Sequence, residues 1–128
     1  MKALVAEDDP DIQLILKMVL MRMGKCEVVV TDQGDTVIQE AKTNTPDFIL
    51  LDVMLPGMSG YDICKILKSD PSTQKIPVIF LTARAMPSEV KEAMAMGALG
   101  YLAKPFDPMT LISQINSLLT PMGCTLGG

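Results

Sequence analysis

Histidine and tryptophan are absent from this 128-residue chain, and other aromatic rings are few, with three Phe and two Tyr. Without histidine the polypeptide cannot build a Ser-His-Asp triad, an imidazole metal site or a phosphohistidine intermediate. Any metal is therefore expected on oxygen ligands, which favours Mg²⁺ or Mn²⁺. Cysteine is scarce as well: Cys26, Cys64 and Cys124 are an odd number and form no CxxC pair. Cys26 and Cys64 fall inside or beside element-like segments and read as small core hydrophobes, while Cys124 lies in a tail. That usage fits a reduced compartment, so the expected location is cytoplasmic. Although 48% of the residues are apolar, no uninterrupted apolar run approaches the ~20 residues that span a bilayer. The start, Met1-Lys2-Ala3-Leu4-Val5-Ala6-Glu7-Asp8, reaches acids too early for a signal peptide. Eleven basic residues face fifteen acidic ones for a net charge of −4, without a basic stripe. Direct nucleic-acid binding needs clustered Lys or Arg against phosphates and is not expected here.

What the chain does have is a regular alternation. Short apolar or β-branched runs at Ala3–Ala6, Glu27–Thr31, Asp47–Val53, Pro77–Thr82 and Leu99–Ala103 read as five strands. Between and after them, helices are expected over Pro10–Met23, Gly34–Thr43, Gly60–Ser69, Ser88–Met96 and Asp107–Leu119. Strands alternating with helices imply an α/β fold, a parallel sheet joined by right-handed crossovers with helices on both faces. No charge block or low-complexity linker divides the chain. Residues 1–119 read as one domain, and 120–128 as a tail or the start of a linker. Asp9 with Pro10, and Asp107 with Pro108, each supply a cap followed by proline at the first helical position. In the first helix Ile12, Ile15, Leu16, Val19, Leu20 and Met23 keep the spacing of a core-facing stripe, as Leu111, Ile112, Ile115, Leu118 and Leu119 do in the last. A second apolar line, Leu14, Met18 and Met21, is either an exposed partner surface or part of a more broadly buried helix. Eleven methionines are many for this length, and most read as adaptable core filler.

The chemistry gathers at strand ends. Phe48-Ile49-Leu50-Leu51 reads as a strand buried on both faces, and Asp52 follows it directly, before a Pro56-Gly57 loop. In an open parallel sheet all strand carboxyl ends open on one edge, the usual place for ligands. Glu7, Asp8, Asp52, Thr82 and Lys104 then converge on that edge. Like charges about 4 Å apart at an effective dielectric near 20 cost about 4 kcal/mol per pair, so such acids need a cation or a proton. A hard divalent ion meets that need, Lys104 offers a point charge for phosphate, and Thr82 a hydroxyl donor. Asp52 is the natural nucleophile, since carboxylates do form aspartyl phosphates. Phosphoryl transfer asks mainly for positioning and charge neutralisation, which this residue set supplies.

Over residues 1–119 the chain resembles the receiver domain of two-component response regulators. The resemblance is carried by Ala6-Glu7-Asp8-Asp9, Leu51-Asp52-Val53-Met54-Leu55-Pro56-Gly57-Met58-Ser59-Gly60, Leu81-Thr82-Ala83, Gly100-Tyr101 and Lys104-Pro105-Phe106. It implies a flavodoxin-like sheet in the order 2-1-3-4-5. It also implies that Asp52 is the phosphoacceptor, that Asp8 and Asp52 bind Mg²⁺ directly, that Glu7 acts through water, and that Met54 offers its backbone carbonyl. Thr82, Lys104 and the Ala83 amide would contact the phosphoryl group. The Thr82 hydroxyl would move towards that group while Tyr101 turns inward, altering the face made by the fourth helix, fifth strand and fifth helix. The Lys104-Pro105 peptide is expected to be cis, an isomer found in about 5–6% of X–Pro bonds. The phosphodonor would be a sensor histidine kinase or a histidine phosphotransfer protein, and the output an attached domain or a separate protein. Ala98-Leu99-Gly100 precedes Tyr101 without the acidic pair of many winged-helix regulators, which speaks against their charged dimer surface. Met54 cannot position a water through a carboxylate or amide and Arg84 would partly cover the site, so a phosphoryl lifetime of minutes or longer is expected. A phosphorylation-independent interaction domain of the same fold is the alternative, although such domains typically lose one of these residues. A flavin binder is disfavoured by the acidic loop after the first strand. An aspartate-nucleophile phosphatase needs a second acid where Met54 stands.

Overall fold

In a computed structural model, residues 1–83, 86–104 and 106–123 are described. The strands are β1 (Lys2–Ala6), β2 (Glu27–Thr31), β3 (Phe48–Asp52), β4 (Val78–Thr82) and β5 (Gly100–Ala103). The helices are α1 (Pro10–Arg22), α2 (Gly34–Asn44), α3 (Gly60–Ser69), α4 (Pro87–Ala95) and α5 (Pro108–Leu119), followed by a 3₁₀ turn, Thr120–Met122. All pairings are parallel and the strand order is β2-β1-β3-β4-β5, the order the resemblance implied. Every residue of β3 is buried, because its neighbours β1 and β4 cover both edges and helices cover both faces. A continuous apolar run is the sequence form of such a strand.

Alternate strand residues feed opposite cores. Val5, Leu50, Ile79 and Leu81 meet Leu16, Val19 and Leu20 of α1 and Leu111, Ile115 and Leu119 of α5. On the other side Leu4, Ile49, Leu51 and Phe80 meet Val37 and Ala41 of α2, Ile63, Cys64 and Leu67 of α3, and Ala93 of α4. Cys26 and Cys64 are buried free thiols, as their positions suggested, whereas Cys124 lies outside the described residues.

Local chemistry sets the boundaries. Asp9 caps α1 through its side chain, accepting from the Asp11 and Ile12 amides, and Asp107 caps α5 by accepting from Met109 N–H at 2.9 Å. The expected strand start at Pro77 moves to Val78. Pro77 has no N–H to add to the ladder and contributes only its carbonyl, which accepts from Ile49 N–H at 2.9 Å. Gly60 opens α3 hard against the end of β3: a Cβ there would collide with Asp52 O and stand 3.0 Å from Val53 Cα. Gly57, with φ +83, takes the left-handed turn of the preceding loop.

Two expectations about side-chain placement change. Ile15 and Met23 leave the core stripe, being 37% and 45% exposed, because α1 is covered only along the arc of Ile12, Leu16, Val19 and Leu20. Met23 is the helix C-cap rather than a helical residue. The second line is open: Leu14, Met18 and Met21 are 58%, 44% and 49% exposed. Most of the described methionines are not core filler, although Met58 and Met96 pack against the α2–α3 side. Met1, Met18, Met21, Met23, Met54, Met86, Met94 and Met109 are exposed and Met58 and Met96 half-buried, so no methionine side chain among the described residues is fully buried. Leucine, isoleucine and valine already fill both cores.

Candidate functional site

The pocket edge of the sheet is built by the ends of β1, β3, β4 and β5. After β1 the ladder runs one residue further, Glu7 N–H donating to Thr31 O at 3.0 Å, which carries the Glu7 side chain inside to 1% exposure. Glu7 Oε1 accepts from Asp9 N–H at 3.2 Å, and Gln13 Nε2 donates to the Glu7 carbonyl, so the acidic turn is tied to the first turns of α1. Asp8, between the two, stays exposed. Asp52 ends β3 at 4% exposure, with Oδ1 accepting from Met54 N–H at 3.0 Å. After β5, Lys104 N–H donates to Thr82 O at 2.7 Å, tying the ends of β4 and β5 together.

Lys104 then joins the acids. Its ammonium lies 2.8 Å from Glu7 Oε2 and donates to Asp52 Oδ2 at 3.0 Å. One carboxylate oxygen each from Glu7, Asp8 and Asp52 lie within 4.8 Å of one another. The ends of β1, β3, β4 and β5 open into a pocket of about 720 Å³ whose lining includes Glu7, Asp8, Asp52, Met54, Thr82, Ala83 and Lys104. Every site residue expected on that edge from the sequence therefore meets in one place. Tyr101 does not line it. Its ring is 40% exposed and forms, with Thr82, Tyr61 and Phe80, the wall of a narrow neighbouring cavity. Pro105 and Arg84 lie outside the described residues, and with them the cis peptide and the partial cover expected of Arg84.

The charges are unbalanced. Burial, and then the Asp52 charge, raise the Glu7 carboxyl above its ordinary range, with Lys104 opposing. Burial alone would lower the Lys104 ammonium, but the two carboxylates outweigh it and the net direction is up. Among the described residues Lys104 is the one ammonium paired in this cluster, with Glu7 and Asp52, so three carboxylates outnumber it in a partly buried pocket. Glu7 Oε2 is buried, and the Lys104 ammonium at 2.8 Å is the partner shown for it among the described residues. An oxygen donor set of this kind, three carboxylates with their oxygens within 4.8 Å of one another, fits a hard divalent cation.

Tyr61 and Glu89 line the pocket without having been expected there, and Gln13, outside the lining, anchors Glu7 through its carbonyl. Tyr61 stacks at a tilt on Phe80, 5.2 Å between ring centres. Burial, then Glu89 and Glu92, raise its phenol above the ordinary 10.0. Gln13 alone left a trace in the sequence, as a polar residue between Ile12 and Leu14 in the first turns of an apolar helix.

Known proteins share this fold. The family model described as response regulator receiver domain matches residues 3–116. DNA-binding response regulator MtrA of Mycolicibacterium smegmatis (strain ATCC 700084 / mc(2)155) is 35% identical over 118 residues, covering 92% of this chain and 50% of that protein. Phosphate regulon transcriptional regulatory protein PhoB of Rhizobium meliloti (strain 1021) is 36% identical over 118 residues, covering 92% of this chain and 52% of that protein. The chain spans about half the length of these curated relatives. Chemotaxis response regulator CheY4 of Vibrio cholerae superposes with a TM-score of 0.86 at 30% identity, over 92% of this chain and 98% of that one. The receiver domain of sensor histidine kinase PA1611 from Pseudomonas aeruginosa PAO1, solved with magnesium coordinated in its active-site cleft, gives a TM-score of 0.82 at 28% identity, over 96% of this chain and 98% of that one. A match that begins in β1 and ends inside α5 takes in every strand that builds the pocket, and so the chain belongs to the response regulator receiver domains of two-component systems.

Proposed function

We propose that this receiver domain is a switch in which Asp52 accepts a phosphoryl group from a sensor histidine kinase or a histidine phosphotransfer protein. The observation that carries this reading is the setting of Asp52: a buried carboxylate with one oxygen held by Met54 N–H and the other by Lys104, in a pocket it shares with Glu7 and Asp8. An Asp52 oxygen attacks the phosphorus of a phosphohistidine, a P–O bond forms, the P–N bond breaks, and the departing imidazole takes up a proton. Asp8 and Asp52 would hold Mg²⁺ directly, Glu7 through water and Met54 through its carbonyl, and the bound ion would supply positive charge for the phosphoryl oxygens. Lys104 binds a second phosphoryl oxygen, and the Thr82 hydroxyl and Ala83 amide donate to the group.

The domain promotes its own phosphorylation and dephosphorylation and acts on no other substrate. Thr82 and Tyr101 share a cavity wall, which links the phosphorylated edge to the α4-β5-α5 face. The added charge of about −1.5 to −2 shifts that face between two packings, and an output domain or protein reads it. Residues 1–119 form the receiver unit, with 120–128 a tail or the start of a linker, and the setting is cytoplasmic. Among the described residues no helix is long and apolar enough to cross a membrane.

The test is intact mass after incubation with Mg²⁺ and acetyl phosphate, beside Asp52→Asn. One added phosphoryl group, lost on chelation of the metal before loading and lost in the variant, is the expected result. No addition from acetyl phosphate or from a cognate kinase favours the phosphorylation-independent alternative.

A further inference from the structure

Met54 combines two properties that no other described methionine shares. Its side chain is 78% exposed, and it lines the pocket that holds Asp52, Thr82 and Lys104. Met109 is equally exposed, but it lies on α5 in a separate groove with Met23 and Ile112. Met54 is also fixed relative to Asp52, because its N–H donates to Asp52 Oδ1 at 3.0 Å. The thioether is therefore open to small oxidants at the position flanking the carboxylate that carries the phosphoryl group in the reading above.

A thioether sulfur is a weak hydrogen-bond acceptor and does little to orient a water molecule. Oxidation converts it to a polar sulfoxide while leaving the chain length and the backbone as they are. Resting on the phosphoacceptor reading of Asp52, we propose that Met54 is an oxidation site whose sulfoxide shortens the life of the phosphoryl group on Asp52. The oxidant is hydrogen peroxide. The Met54 sulfur attacks one peroxide oxygen, the O–O bond breaks, an S=O bond forms and water departs, so sulfur loses two electrons and the peroxide gains them. The sulfoxide oxygen then accepts a hydrogen bond from a water in the pocket and holds it against phosphorus. That water adds to phosphorus, the bond from the Asp52 oxygen to phosphorus breaks, the carboxylate is released, and the water's proton leaves with inorganic phosphate or solvent. The sulfoxide removes no proton; it orients the nucleophile, and orientation alone changes rates substantially. Methionine sulfoxide reductase resets the side chain.

The experiment uses the full chain. Wild type and Met54→Leu are treated with hydrogen peroxide, quenched with catalase and returned to dithiothreitol so that any oxidised thiol is restored. Peptide mass mapping scores each methionine, after which both proteins are loaded with acetyl phosphate and Mg²⁺ and the phosphorylated mass is followed with time. In wild type, Met54 is expected to convert ahead of the half-buried Met58 and Met96, and the half-life to fall about tenfold, equivalent to a barrier change of about 1.4 kcal/mol. The half-life of Met54→Leu is expected not to respond to the same treatment, which oxidises its other methionines equally. Met54→Gln, with a carbonyl acceptor in place of the sulfoxide, is expected to decay faster than untreated wild type. Treatment with methionine sulfoxide reductase is expected to restore the longer half-life.

The proposal is overturned if wild type and Met54→Leu respond alike, if Met54 stays reduced when Met109 is fully converted, or if full conversion of Met54 leaves the half-life unchanged. A protein that takes up no phosphoryl group at all, treated or untreated, refutes the phosphoacceptor reading itself and the oxidation step with it. That outcome is distinct from a loaded protein indifferent to peroxide.

Discussion

Asp70, at the C-terminus of α3, shows how firmly a single carboxylate can be held outside the pocket. Hydrogen bonds from the Ser72 amide (2.9 Å) and hydroxyl (2.8 Å), and then Lys42 at 3.0 Å, lower its carboxyl from the ordinary 3.8 to about 2. The folded state thus binds this proton less readily than the unfolded one, and ionised Asp70 favours folding. That contribution is complete above the unfolded value of 3.8 and is lost as pH falls towards about 2. Asp70→Asn is expected to lower the urea midpoint at pH 7 and to converge with wild type near pH 2, as read by paired urea titrations. The placement of the candidate site residues was legible at this scale for one reason: an acid, threonine or lysine at the end of an apolar strand has its edge of the sheet assigned by the fold. Gln13, Tyr61 and Glu89 sit on helices. Which way a helical side chain faces depends on how each helix is rotated against the sheet, and that follows from packing between distant residues.

Elements were recovered in kind and order, with ends displaced by one or two residues where backbone hydrogen bonding decides them. Pro77 and Met23 are such ends, the first lacking an N–H for the ladder and the second capping α1 with its N–H on Val19 O. The width of a buried stripe was less legible. Periodicity marks the apolar side of α1, but its neighbours cover only part of that side and leave Ile15 open. The C-cap of α2 carries a local cost. Thr45 adopts φ 41, a left-handed conformation that crowds a β-branched side chain. Thr45→Gly is expected to stabilise the domain by about 0.5–1 kcal/mol, the relief at the cap exceeding the added chain entropy of glycine in the unfolded state. A higher urea midpoint at unchanged slope is the readout.

At the scale of the whole molecule the sheet separates two apolar cores that, among the described residues, share no side chain. Ile115 belongs to the α1–α5 side and Ile63 to the α2–α3 side, both with 0% exposure. Ile115→Val and Ile63→Val are each expected to cost about 0.5–1.5 kcal/mol. Their combination is expected to add within about 0.5 kcal/mol, measured as a double-mutant cycle by urea unfolding. A larger coupling term would mean that the sheet transmits packing changes from one side to the other. Composition was least informative at this scale. Eleven methionines suggested a soft interior, but largely branched aliphatic residues close both cores, and of the described methionines only Met58 and Met96 pack against one of them, half-buried.

The narrow cavity beside the pocket has a practical consequence. The chain has only two tyrosines, and both Tyr61 and Tyr101 stand on that cavity's wall. Biosynthetic replacement of tyrosine by 3-fluorotyrosine would therefore place every fluorine nucleus in the domain around one small space, one on an inner ring stacked on Phe80 and one on a ring open to solvent. A fluorine spectrum of this protein is intrinsically a two-site view of the passage between the acidic edge and the α4-β5-α5 face, needing neither assignment of a crowded spectrum nor an engineered label.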